Sequence, residues 1–165
     1  MANRLKKITK SENLRGTRVI VTGCSYKPIN YIFTDITTGE PSHDSMYIDG
    51  AEMKMNIGTA IAGVLAKNGA KVHIVSTSEN KLSNIKSELE KDTGEGLIEY
   101  SALDLLDETQ VREFVRDLPR DKNLYWVQCV GLGAGSYKLK DDNPYLPLED
   151  IPLELLEKES QIILR

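Results

Sequence analysis

Cysteine is scarce in this sequence. Only Cys24 and Cys129 occur among its 165 residues. Two thiols that far apart exclude a disulfide framework and any paired-cysteine zinc spacing, and no metal is expected. They read as reduced thiols of a cytoplasmic chain. Long apolar runs are also lacking. No stretch is long enough to span a bilayer, and no signal peptide opens the chain. Positive charge is not in excess, because the formal net charge is -4. The one basic stretch, residues 4–10, is short and has no interleaved aromatics, so it reads as a solvated tail. A dedicated nucleic-acid surface is therefore excluded. Repeats and low-complexity tracts are absent as well. What remains, 40% hydrophobic and 28% charged, is the composition of one ordinary soluble domain spanning residues 1–165.

Hydrophobic periodicity divides that domain into alternating elements. Arg18-Val19-Ile20-Val21-Thr22-Gly23 is a β-branched run stopped by glycine, a buried strand. From Asn56 a helical period sets in, with Ile57, Ala60, Ile61, Val64 and Leu65 on one face and Gly69 as the stop. Residues 71–75 form a second strand. Residues 80–91 form a helix with Leu82, Ile85 and Leu89 aligned. A weaker strand follows at 97–100. Asp107 opens another helix, lined by Val111, Phe114, Val115 and Leu118 and ended by Pro119. Residues 124–130 make a fourth strand. A loop over 131–147 and a last helix over 153–164 complete the chain. Strands alternating with helices in this way predict a doubly wound parallel α/β sheet of the Rossmann type. Ligands of such sheets bind beyond the carboxyl ends of the strands, where strand order reverses. That rule selects residues 22–25, 76–78, 102–105 and 128–131.

Residues 26–55 interrupt the pattern just after the first strand. They show no clear period, yet Tyr26, Ile29, Tyr31, Ile32, Phe33, Met46, Tyr47, Ile48, Met53 and Met55 make them too apolar for a disordered linker. They read as an insertion that folds either as a flap beside the site or as a surface against a partner subunit. With the insertion looped out, Thr22-Gly23-Cys24-Ser25 joins Asn56-Ile57-Gly58. Such a junction of strand, glycine turn and helix N-terminus presents free N–H groups to a pyrophosphate. Lys27 or Lys54 could reach a phosphate from the insertion. His43, Asp44 and Asp49 read as a solvated loop rather than a metal site.

At this point the chain resembles the short-chain dehydrogenase/reductase family, whose loop runs Thr-Gly-x-x-x-Gly-x-Gly. Thr22 and Gly23 match its start and Gly58 its last glycine. Asn56 replaces the middle glycine, read here as a residue that tolerates left-handed backbone. Residues 62–72 resemble the family's first helix and second strand. Asp104 matches its adenine-binding aspartate, and Gly131 is what remains of its Asn-Asn-Ala-Gly. The resemblance implies a cofactor site made of Thr22, Gly23, Ser25, Asn56, Ile57 and Gly58 on the loop. Ser76, Thr77 and Ser78 follow the second strand, Asp104 and Leu105 the third, and Cys129, Val130 and Gly131 the fourth.

The family's catalytic Ser and Tyr-x-x-x-Lys have no counterpart in these 165 positions. Tyr137 lacks a lysine at the fourth following position, and the family's helical Asn would fall near Ile162 or Ile163. The fold is thus expected to be C-terminally incomplete and the catalytic residues unknown. In the family the Tyr exchanges a proton with the carbinol oxygen, and the Lys lowers the Tyr pKa. The absence of a carboxylate at 76–78 favours NADP(H) over NAD(H), with Lys81 available to add charge. Alternatively these hydroxyls only cap the following helix.

The resulting expectation is an NADP(H)-dependent oxidoreductase of the short-chain type, transferring hydride to or from a carbonyl or activated double bond of a small molecule. The resemblance implies a homo-oligomer built through long helices, the first of which is cut in this sequence; nucleic acid and membrane partners are not expected. The alternatives are a non-catalytic dinucleotide-binding module and, more remotely, a phosphopantothenoylcysteine synthetase-like ligase, resembled by Tyr26-Lys27-Pro28-Ile29-Asn30. Of the remaining residues, His73 reads as a packed or edge residue of its strand, and Cys24 and Cys129 as small buried thiols on neighbouring strands. Of Tyr125 and Trp126, one is expected in the core and the other under a covering helix.

Overall fold

A computed structural model describes residues 14–29, 34, 36–39, 44–120 and 123–130. Its centre is a four-stranded parallel sheet in the order β6-β5-β1-β7. These strands are β1 (Arg18–Thr22), β5 (Lys71–Ser76), β6 (Ile98–Ala102) and β7 (Leu124–Gln128). β1 lies between β5 and β7, in the registers Thr22↔Val75 and Thr22↔Gln128. The chain therefore winds outward from β1 to β6, then crosses back to place β7 on the other side of β1. This reversal is the switch point of a doubly wound sheet. The expected fold class stands.

Three helices connect the parallel strands: α1 (Ile57–Lys67), α2 (Glu79–Thr93) and α3 (Glu108–Asp117). Leu82, Ile85 and Leu89 of α2 are buried, the face that its sequence period specifies. The face of α1 differs from the expected one. Its buried residues are Gly58, Thr59, Ala62, Gly63 and Ala66, while Ile57 is 75% exposed. Side-chain size is the reason. The helix start lies so close to the β1 turn that a Cβ on Gly58 would come within 3.1 Å of the Gly23 oxygen. Only a small residue fits that distance, whereas Ile57 turns outward and Val64 and Leu65 pack against the core from its margin, partly buried.

On the opposite face, Val111, Phe114 and Leu118 pack against Ile20, Val75 and Leu103, whereas Val115 is exposed. Tyr125 and Trp126 also depart from expectation, both being exposed. β7 is an edge strand among the described residues, so neither of its faces is fully covered. Trp126 meets the Phe114 ring edge-on, with centroids 6.4 Å apart.

The insertion forms a second sheet, antiparallel, in the order β2-β4-β3. Its strands are β2 (Tyr26–Pro28), β3 (Ser45–Ile48) and β4 (Ala51–Met55). β3 and β4 make a hairpin across Asp49-Gly50, whose φ values are +51° and +80°. Two successive positive φ angles are what a two-residue I′ turn requires, and Asp-Gly is among its preferred pairs. Met46, Ile48 and Met55 are buried in the same cluster as Val21, Ile74, Leu82 and Ile85. The apolar residues of the insertion thus complete this chain's own core. The surface against a partner subunit is not needed to explain them. Tyr31, Ile32, Phe33 and His43, the loop over 131–147 with Tyr137, and the helix expected over 153–164 lie outside the described residues.

One polar chain crosses the α3 side of the sheet. Arg18 donates to Glu99 at 2.7 Å. His73 Nδ1 lies 3.5 Å from the same carboxylate, and its Nε2 pairs with Ser101 Oγ at 2.8 Å. Burial pushes His73 below its ordinary value near 6.5, against the opposing pull of Glu99. The unfolded chain then binds the proton more readily, so this residue makes stability rise with pH through that window. Stability should fall between pH 7.5 and 5.5 in urea titrations. The fall should be smaller in His73→Gln; an identical fall would mean that His73 does not cause it.

Candidate cofactor site

The site forms where β1, β7 and α1 converge. At Gly23 the chain turns with φ +77°. Its N–H donates to the Val75 oxygen at 2.8 Å, and the Cys24 N–H reaches the same oxygen at 3.3 Å. A Cβ on Gly23 would lie 2.7 Å from the Cys129 oxygen and 2.9 Å from the Val130 nitrogen. The requirement for glycine is therefore double, steric and conformational. Thr22 is wholly buried beneath this turn.

The two ends of the insertion are fastened together at the same point. The Asn56 N–H donates to the Ser25 oxygen at 3.1 Å. The Ser25 N–H in turn donates to Asn56 Oδ1 at 3.1 Å and to Thr59 Oγ1 at 3.0 Å. The Thr59 hydroxyl donates to the Ser25 oxygen at 2.8 Å, and Asn56 Nδ2 donates to the Gly23 oxygen at 2.5 Å. Asn56 also caps α1 by accepting from the Thr59 N–H. Its backbone is extended, with φ -82° and ψ 172°, so the left-handed conformation read from the sequence is corrected. Asparagine stands here for its side chain, which ties strand end to helix start across the inserted sheet.

This fastening leaves the N–H groups of Ile57 and Gly58 without a protein acceptor among the described residues. They are the first two donors of α1, at the positive end of its dipole and at the switch point of the sheet. Two unpaired donors so placed fit an anion such as pyrophosphate.

The surrounding strand ends place the other sequence-selected residues. Ser76 and Ser78 are half-buried and Thr77 is exposed. Ser78 is the N-cap of α2, but its side chain makes no capping hydrogen bond. The capping alternative therefore does not account for its hydroxyl. Asp104 is exposed, and its Oδ1 accepts from the Leu106 N–H at 2.9 Å. Oδ2 has no partner among the described residues. Leu105 packs with the Ile20 cluster. Cys129 and Val130 are half-buried at the end of β7, and Gly131 lies outside the described residues.

Cys24 is buried and Cys129 is partly so, and both are free. Burial, reinforced by the neighbouring Cys129, pushes the Cys24 thiol up to about 12. Burial raises Cys129 as well. Neither thiol ionises near neutral pH, as expected of packing residues. Lys27 and Lys54 face each other across β2 and β4. Tyr26-Lys27-Pro28, part of the ligase-like segment, forms strand β2. Lys81, in the sequence only a nearby charge, is bonded to the loop: its Nζ donates to the Tyr26 oxygen at 3.2 Å and to Ser25 Oγ at 3.5 Å. No spacing in the sequence signals that contact, which joins residues of two separate elements. Among the described residues no group of three or more His, Cys, Asp or Glu could hold a metal ion. Likewise, no helix is long and apolar enough to cross a membrane.

A parallel sheet of this order, with a glycine turn and an open helix N-terminus at its switch point, defines a Rossmann-type fold, the class of sheet in which dinucleotides bind at that point. The family model described as short chain dehydrogenase matches residues 50–143. The chain belongs to the short-chain dehydrogenase family.

Solved structures share the fold. A protein of Escherichia coli CFT073 assigned to the short chain dehydrogenases superposes with a TM-score of 0.54 at 18% identity, covering 92% of this chain and 51% of that one. A Shigella flexneri 2a str. 301 short chain dehydrogenase complexed with NADP gives 0.52 at 19% identity, covering 92% and 48%. A structure from E. coli CFT073 complexed with NADPH gives 0.52 at 18%, again covering 92% and 48%. This chain spans about half the length of these structures. No curated protein sequence matches it.

Proposed function

We propose that this chain is the dinucleotide-holding portion of an NADP(H)-dependent oxidoreductase, moving hydride to or from a carbonyl or activated double bond of a small molecule. The observation that carries this reading is the pair of uncommitted N–H groups on Ile57 and Gly58 at the switch point. In the proposal they donate to the pyrophosphate, while Asp104 Oδ2 accepts from the adenine amine. Ser76, Thr77 and Ser78 contact the ribose. Thr22, Gly23, Ser25 and Asn56 shape the loop, and Leu105, Cys129 and Val130 line the mouth. When bound, the nicotinamide supplies or accepts the hydride; these residues bind and orient, and none of them is assigned the proton transfer. The absence of a carboxylate at 76–78 and the NADP and NADPH complexes of the two similar structures favour NADP(H), with NAD(H) as the weaker ligand. Assembly as a homo-oligomer and a cytoplasmic location belong to the same proposal.

Fluorescence titration of the folded chain with NADPH and NADH is the test. Saturable binding of both is expected, tighter for NADPH. Binding of neither would remove the proposal, and binding of CTP alone would move the chain to the ligase reading.

A further inference from the structure

We infer that the inserted sheet is part of the cofactor-selecting apparatus: Tyr26 positions Lys81 as the cation that receives the 2′-phosphate of NADP(H). This inference rests on the dinucleotide reading above.

Lys81 lies in the first turn of α2, where a lysine on a flexible four-carbon stem is normally solvated. Here its ammonium is held by groups that carry no charge. It donates to the Tyr26 oxygen at 3.2 Å and to Ser25 Oγ at 3.5 Å. It also lies 5.5 Å from the centroid of the Tyr26 ring, within cation–π range. The ring is fixed in turn, because Asn84 Nδ2 donates to the Tyr26 hydroxyl at 2.9 Å. The Tyr26 backbone is fixed by pairing with Met55.

The other lysines of α2 that form ion pairs, Lys86 and Lys91, face Glu90 and Glu88. Lys81 has no carboxylate partner among the described residues. An ammonium has three donors. Two are directed at Tyr26 and Ser25, and the third has no protein acceptor among the described residues.

The position matches the task. Ser25 follows Cys24, whose N–H bonds to Val75, and Val75 directly precedes Ser76, Thr77 and Ser78. Lys81 therefore stands where the glycine turn meets the ribose-side strand end. Ser25 accepts from Lys81 and so keeps its own proton to donate. The hydroxyl of Ser78 is not used in capping. The one acid in the first turn of α2 is Glu79. A Glu79 grip on a free 2′-hydroxyl is the competing outcome, and it would favour NADH.

The experiment measures dissociation constants for NADPH, NADH, adenosine 2′,5′-bisphosphate and 5′-AMP by calorimetry. It uses the wild type, Lys81→Gln, Tyr26→Phe and Tyr26→Leu, each checked for folding by far-UV circular dichroism. Wild type should prefer the bisphosphate over 5′-AMP. Lys81→Gln should weaken NADPH about tenfold or more, the usual weight of a charge-assisted hydrogen bond, with NADH unchanged. Tyr26→Leu should weaken NADPH about two- to fivefold through the lost ring contact, again sparing NADH. Tyr26→Phe keeps the ring and should restore most of the affinity. Equal losses for both dinucleotides, or none, in Lys81→Gln would overturn the role of Lys81. Wild-type NADPH affinity in Tyr26→Leu would overturn the part played by the insertion. Failure of the dinucleotide reading is distinct, since the wild type would then bind neither NADPH nor NADH.

Discussion

Gly23→Ala is expected to destabilise the protein by about 3 kcal/mol or more, combining overpacking with a left-handed backbone penalty. The added Cβ would sit 2.7 Å from the Cys129 oxygen and 2.8 Å from its carbonyl carbon. Both are backbone atoms of the residue just after β7, the strand paired with β1, so no rotamer change can relieve the clash. The backbone at Gly23 is also at φ +77°. Moving the turn would disturb the bonds from the Gly23 and Cys24 N–H groups to Val75 and would displace the start of α1. Dinucleotide binding should therefore be lost along with stability. Urea unfolding gives the first quantity and NADPH titration the second. An alanine variant with unchanged midpoint and affinity would show that the strand ends can separate freely.

Asn56→Ala should cost about 2 kcal/mol, from one lost helix cap and two lost loop hydrogen bonds. The bond from the Ser25 N–H to Thr59 Oγ1 survives, which limits the loss. The informative companion is Asn56→Gly, which installs the residue that the family's loop would have. Glycine at an N-cap costs only a few tenths of a kcal/mol as a cap. It cannot replace the bonds to the Gly23 oxygen and the Ser25 N–H. Asn56→Gly should thus remain clearly less stable than wild type in urea. Neutral behaviour would mean that the side chain does not fasten the insertion.

Asn56 illustrates why part of the site was not legible. Compared with the family's glycine, it looks like a conformational substitute. Its work is instead done by a side chain that contacts residues 31 and 33 positions earlier, and no local pattern encodes such a contact. The α1 face failed for a related reason. Periodicity weights large aliphatics, but the fully buried residues are Gly58, Thr59, Ala62, Gly63 and Ala66, with Val64 and Leu65 only partly buried beside them. In the insertion, the strands are too short for a period to register. One signal was present, the Asp49-Gly50 pair, which marks a two-residue hairpin turn.

What the order of residues dictates is the alternation of parallel strands and helices, because each carries its own hydrophobic period and its own stop. Leu82, Ile85 and Leu89 belong to that kind of information, and so do Gly23 as the end of β1 and Asp107 as the cap of α3. Tertiary structure alone decides that Ser25 and Asn56 meet, that Met46, Ile48 and Met55 enter the main core, and that Tyr26 holds Lys81. The physical reason is range. Periods and caps act over a few residues, while these contacts join segments brought together only when the sheet closes around β1.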